Sequence, residues 1–211
     1  MSMNRYLKYI LLLLVVALVG YKSVYFKKIS TMKAAVNKTF DAVRFTEKLW
    51  TEKLPGRLQS AVELDTLIEA IKTNPGHAFS VYSNAIAIGN YRYCLVHTNG
   101  IVVAVNPDDI SLQVKNNDSV LNIILVTEFV YGNAVRDASS LVDMKDFTSN
   151  TDLNNVSEEI NRRIRNEVLP PFKKVVKKGD QIDIVGAIEL HKEHIKFNGI
   201  EIIPARLKII R

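Results

Sequence analysis

Cysteine is almost absent from this chain: of 211 residues only Cys94 carries a thiol. No disulfide can form within the chain, and no cysteine-built zinc or redox motif can be assembled. Cys94 lies in the strand-like run Tyr91-Arg92-Tyr93-Cys94-Leu95-Val96-His97, where a lone cysteine reads as a small buried hydrophobe rather than a nucleophile. Acidic residues are missing from residues 1–28, which hold Arg5, Lys8, Lys22, Lys27 and Lys28. Taking those five from 28 basic residues leaves 23 against 22 acids, so the formal charge of +6 shrinks to about +1 beyond residue 28. The basic excess therefore belongs to the N-terminal segment, and nucleic acid is not an expected partner.

Catalytic signatures are missing as well. There is no Gly-x-Ser-x-Gly elbow, no phosphate loop and no dinucleotide fingerprint. The carboxylate pairs Glu158-Glu159 and Asp108-Asp109 fall in a helix turn and a loop, with nothing to mark a pocket. His191 and His194 stand three apart in a strand-and-turn pattern, which turns their rings to opposite faces, so no metal site is expected there. The expectation is a protein that is not an enzyme and needs no cofactor or metal.

What is present starts with an apolar run from Tyr9 to Tyr21, built on Leu11-Leu12-Leu13-Leu14-Val15-Val16. The run alone matches the core of a signal peptide. If Lys8 and Lys22 extend their ammonium groups to the interfaces, a helix from Tyr6 to Phe26 reaches about 31 Å, enough to span a bilayer. No small-x-small cleavage pair is evident, so residues 1–28 are expected to form an uncleaved membrane anchor, followed by a polar stalk over 29–38.

Helical patterns follow. Phe40, Val43, Phe45, Leu49 and Trp50 share a face that Pro55-Gly56 should end, and Leu64, Leu67, Ile68 and Ile71 repeat at helical spacing. A third, weaker pattern uses Ala78, Val81, Tyr82 and Ala85. Strands take over at Tyr91, with Asn99-Gly100 marking a hairpin turn before Ile101–Val105, then Ile110–Val114 and Val120–Thr127. A helix is expected from Asn150 until Pro170-Pro171 stops it, with Leu153, Val156, Ile160, Ile164 and Val168 on its apolar side. Strands return at Ile182–Leu190 and Ile195–Phe197, and after Asn198-Gly199. The fold class is α+β: an anchor (1–28), a stalk and small helical domain (29–88), and an OB-like β-barrel with an inserted helix (89–211).

One segment carries candidate site chemistry. In Gly132-Asn133-Ala134-Val135-Arg136-Asp137, an arginine in a cleft can grip a carboxylate, phosphate or sugar hydroxyl through its planar fork. The alternative is an ion pair that fastens a loop to the barrel. Arg136, Asp137 and Phe147 form the candidate ligand site, with the Phe147 ring available to stack on a sugar.

These residues carry a resemblance. Gly132-x-Ala134-x-Arg136-Asp137, Asp146-Phe147-Thr148, Asn161 through Val168-Leu169, Gly179-Asp180, Val185-Gly186 and Pro204-Ala205-Arg206-Leu207 together resemble a bacterial family of predicted periplasmic lipoproteins of unknown function. The likeness runs from about Val43 to Lys208 and includes Trp50. It implies a helical domain joined to an OB-like domain at the periplasmic face of the inner membrane. Such families are often encoded beside sugar ABC transporters, which implies an accessory or solute-binding role and transporter components as partners. A protein–protein docking module is the alternative. The family's apolar run ends in an acylated cysteine; here Tyr21 stands at that place.

Overall fold

The structure, a computed structural model, describes residues 5–23, 40–116 and 119–210. They belong to two units, Met1–Thr39 and Phe40–Arg211, and the division expected at residue 88 falls inside the second. In the first unit, helix α1 (Arg5–Ser23) is exposed along its whole described apolar stretch, from Leu7 to Leu18. Helix α1 has 19 described residues, and the last part of the span expected from Tyr6 to Phe26 lies outside the described residues. No helix among the described residues is long and apolar enough to cross a membrane. Phe26, Lys27, Lys28 and the expected stalk lie outside the described residues.

The second unit opens with α2 (Ala42–Lys48), whose N-terminus is capped by the Asp41 side chain accepting from the Arg44 N–H. A π-helical turn (Leu49–Lys53) carries it into α3 (Leu54–Gln59). The expected stop at Pro55 is therefore wrong, and the reason is local. Proline cannot donate to the carbonyl four residues back and its ring collides with that carbonyl. Widening the preceding turn, so that Leu54 N–H bonds to Leu49 O, moves the carbonyl aside and lets the helix continue. The same device recurs before Pro170-Pro171, where the π turn Ile164–Val168 ends with Leu169 N–H bonded to Ile164 O.

A short β1 (Val62–Glu63) leads to α4 (Leu64–Thr73) and α5 (Pro75–Tyr82), then β2 (Ser83–Asn84). The barrel is made of β3 (Tyr91–Val105), β4 (Asp109–Asn116), β5 (Ser119–Val126), β6 (Gln181–His191) and β7 (Ile200–Ile210). Their order is β3-β4-β5-β7-β6, and β6 pairs back onto β3 to close the ring; β5 and β7 run parallel, the other neighbours antiparallel. Between β5 and β6 lie α6 (Ala134–Ser139), α7 (Asn150–Arg163) and α8 (Leu169–Lys173). A five-stranded Greek-key barrel with a helical insertion after its third strand is the OB-fold.

The expected hairpin at Asn99-Gly100 is not formed. β3 runs straight through it, Asn99 paired with Asp183 and Gly100 with Ile182 of β6. The strand must serve β6 along most of its length and β4 beyond Ile101, and a reversal at residue 99 would break that shared ladder. Ile195–Phe197 forms no strand; it belongs to the loop between β6 and β7, which ends with Gly199 in a left-handed conformation at φ 77°.

Two apolar cores result. One joins the barrel interior to α4 and α5, with Leu67, Ile68, Ile71, Leu112, Ile123 and Ile184 almost wholly buried. The other lies between the outer face of the barrel and the remaining helices, using Leu95, Val185 and Ala187 against Leu54, Val135, Val156 and Ile160. Strands β3 and β6 are covered on both sides, so Tyr93 through Val96 and Ile184 through Ile188 read as unbroken buried runs. Cys94 is wholly buried, and burial pushes its thiol up to about 12, which leaves it a structural side chain.

His97 ties β1 to the barrel. Its Nδ1 lies 2.5 Å from Glu63 Oε1 and its Nε2 2.6 Å from Asp183 Oδ2. The Asp183 carboxylate also has Arg206 of β7 at 3.5 Å. Burial disfavours the imidazolium, but the hydrogen bonds and charges of Glu63 and Asp183 outweigh it and raise the His97 pKa above 6.5. The stability that protonated His97 contributes is thus complete below the unfolded value of 6.5 and is lost as pH rises through the folded value. Thermal melts from about pH 6 to about pH 9 should show a falling midpoint that His97→Gln flattens; an unchanged slope in the variant would refute the assignment.

Candidate solute-binding site

The segment with Arg136 and Asp137 is a helix rather than a loop: all six residues of α6 are buried. Before it, Gly132 takes φ 81°, a left-handed conformation that a side chain strains, and its carbonyl accepts from Asn161 Nδ2 of α7 at 2.8 Å. That bond fixes where α6 meets α7.

Asp137 is fully buried and every part of it is used. Its Oδ1 accepts from Arg136 Nε at 2.7 Å; its Oδ2 accepts from Asn133 Nδ2 at 2.8 Å and from the Ile86 N–H at 3.2 Å. Its carbonyl accepts from Asn84 Nδ2 at 2.9 Å. Asn133 is oriented in turn by Tyr93, whose hydroxyl donates to Asn133 Oδ1 at 3.2 Å. Burial first, and then the nearby Glu189 carboxylate, push the Tyr93 phenol up to about 12, so that hydroxyl remains a donor across the physiological range. Arg136, 5% exposed, gives a second bond from Nη1 to Ser157 Oγ at 2.8 Å. The bracing ion pair foreseen as the alternative is therefore present, and it joins the loop after β2, the turn before α6, and α7.

The same arginine also lines a cavity of about 470 Å³. One wall is α7, which presents Asn150, Asn154, Ser157, Glu158 and Asn161 along one stripe, with Leu153 beside them. The opposite side is Ile86, Ala87, Gly132 and Asn133, and Met144 stands at the edge. Arg136, almost wholly buried, also lines the cavity. Convergent polar groups beside an apolar wall are what a small-molecule site needs, and here the polar side chains outnumber the apolar ones. Glu158 is paired with Arg165 Nη2 at 2.5 Å, and that guanidinium also lies over the Tyr131 ring at 5.0 Å.

The three residues singled out in sequence are thus separated. Arg136 faces the cavity and Asp137 lies behind it. Phe147 lines no part of it: its ring packs edge-on against Phe40 at 5.1 Å and Phe45 at 5.5 Å. There it holds the start of α2 to the segment before α7. The residues that sequence reading missed are the asparagines of α7. Asn150, Asn154 and Asn161, with Ser157 and Glu158 between them, form a helical stripe of polar side chains, legible beside the apolar stripe.

The rings of His191 and His194, expected on opposite faces, instead stack at 4.9 Å, because β6 ends at His191 and the chain turns there; Tyr91 lies edge-on to His191 at 5.1 Å. Among the described residues no group of three or more histidine, cysteine or acidic side chains is placed to hold a metal.

A crystal structure of an OB-fold protein from Thermotoga maritima is similar over 81% of this chain and 99% of that one, with 25% identity and a TM-score of 0.71. The S. pombe Stn1–Ten1 complex also matches, at 11% identity over 56% of this chain and 58% of that one, but its TM-score of 0.24 supports no argument. No functionally curated protein matches the chain. The model of the family described as predicted periplasmic lipoprotein (DUF2291) matches residues 14–208, and the chain belongs to that family.

Proposed function

We propose that this protein is a non-catalytic periplasmic binding protein that holds a small polar solute in the cavity between α6 and α7. The observation that carries the reading is Arg136: a guanidinium 5% exposed, locked in place by Asp137 and Ser157, that still lines a cavity of about 470 Å³. A group already held in one orientation loses little freedom on gripping a ligand. An accessory role in sugar uptake beside an ABC transporter is the cellular setting that the family resemblance suggests. Membrane association would run through the exposed apolar surface of α1. The single thiol, Cys94, is buried in β3 and offers no place for a lipid.

The test is a thermal-shift series on the full chain with D-glucose, D-galactose, D-xylose and D-ribose, in a detergent without a sugar headgroup. Ligand that binds only the folded state raises the midpoint by mass action. Asn154→Trp fills the mouth of the cavity from an exposed position and should abolish the shift while leaving the unliganded midpoint in place. An equal shift in the variant would move the site elsewhere, and no shift with any sugar or other small polar solute would end the reading.

A docking role is favoured by a separate observation. Ile88 is fully exposed and Tyr131 is 59% exposed, and each adjoins a residue that lines the cavity; Phe129, two residues from Tyr131, is 65% exposed. Crosslinking from these positions to a transporter component would support it.

A further inference from the structure

We infer that the cavity selects an uncharged, polyhydroxylated ligand, and that Asp137 enforces this by cancelling the charge of Arg136. The inference rests on the solute-binding reading and deepens it.

Among the described residues lining the cavity only two are charged, and each has a partner outside it. Arg136 is bound to Asp137 at 2.7 Å, and Glu158 to Arg165 at 2.5 Å. The first pair is buried, 5% and 0% exposed, so water does little to separate its charges. An anion entering beside Arg136 would meet a guanidinium already neutralised, with the Asp137 carboxylate directly behind it. A cation would meet the guanidinium. Either would surrender hydration without a free counter-charge in return, which is costly in a partly closed site.

The polar atoms left over match a hydroxyl. Asn161 is 3% exposed, and with its Nδ2 committed to the Gly132 carbonyl, its Oδ1 has no partner among the described residues. Arg136 Nη2 likewise has no hydrogen-bond partner among the described residues. The lining thus offers one free acceptor and one set of free donors. A hydroxyl both donates and accepts and suits either group; a carboxylate or a fully ionised phosphate ester only accepts, and offers nothing to Asn161 Oδ1. Toward the mouth, Asn150 and Asn154 add exposed amides with the same dual capacity, and Leu153 and Met144 give an apolar surface for the carbon face of a ring.

The test uses sugars matched in shape and differing in charge: D-glucose, D-glucosamine and D-glucuronate, with the corresponding galactose series, each titrated into the full chain. The neutral member of a series should bind at least tenfold more tightly than its charged relatives. Asp137→Asn should shift preference toward the uronate by at least tenfold, because Arg136 regains its charge. Since that variant disturbs a buried network, Asn154→Lys and Asn154→Asp at the exposed rim provide a second arm, moving preference toward uronate and amino sugar respectively. If the uronate binds the wild type as tightly as the neutral sugar, and Asn154→Trp removes that binding, the solute site stands and the charge argument is overturned. If no member of either series binds, both fall.

Discussion

Replacing Asp137 with alanine is expected to cost about 3–5 kcal/mol of folding stability, the range found when one partner of a buried ion pair is removed. Three terms add. Arg136, 5% exposed, would keep Ser157 as its only side-chain hydrogen-bond partner among the described residues and stand as an uncompensated buried charge. The Ile86 N–H and Asn133 Nδ2 would lose their shared acceptor. The loop after β2 would then lose its hydrogen bond to α6, leaving only the one from Asn84 within β2 among the described residues. Arg136→Met should cost less, because Asp137 keeps the Asn133 and Ile86 donors. The double variant Arg136→Met/Asp137→Ala should fall short of the sum of the singles by at least about 1 kcal/mol, since the second change removes a group that the first has stranded. Urea unfolding followed by circular dichroism measures all three. Strictly additive losses below about 1 kcal/mol each would mean that the pair is not the junction described here.

Much of the barrel is legible in the chain because β-branched runs and two-residue alternation report strands directly, as Ile110–Val114 and Ile182–Leu190 do. The failures have specific causes. Asn99-Gly100 carries a hairpin's residues, but its ladder partners are more than 80 positions away, in β6. Pro55 and Pro170 look like helix ends because the π turns that accommodate them depend on packing rather than on local propensity. Helix α6 is too short for a periodic signal, and its adjacent Arg136 and Asp137 resemble a surface loop until burial is known. Neighbours in a helix do not normally face each other, and only the length of the arginine side chain allows its Nε to reach back to Asp137. Their chemistry can be read from the sequence. The cavity in front of them cannot, because it is assembled from the loop after β2, the turn before α6, and α7.

Gly186→Ala should be nearly as damaging, by about 3 kcal/mol, at the upper end of the usual cost of overpacking a core. Gly186 lies in β6 between Val96 of β3 and Pro204 of β7. The β6–β7 register skips Ala205 at this point, Val185 pairing with Arg206 and Gly186 with Pro204. Proline offers no N–H to the ladder, so a bulge is where a paired strand tolerates it. The bulge presses β7 onto the glycine: a Cβ on residue 186 would sit 2.5 Å from the Ile203 carbonyl oxygen and 2.6 Å from Ile202 Cγ2. Ile202 is fully buried, and the carbonyl is backbone, so neither yields without shifting β7 and opening the β6–β7 seam of the barrel. Gly56→Ala supplies the control. Gly56 lies in helix α3, and an added Cβ there meets nothing within 4 Å. The same methyl should stabilise by about 0.4–1 kcal/mol, because it narrows the unfolded ensemble and meets no obstacle. Opposite signs from one chemical change would show that the cost at residue 186 is steric and belongs to the seam. A neutral Gly186→Ala would require β7 to move freely there, which a closed five-stranded barrel does not allow.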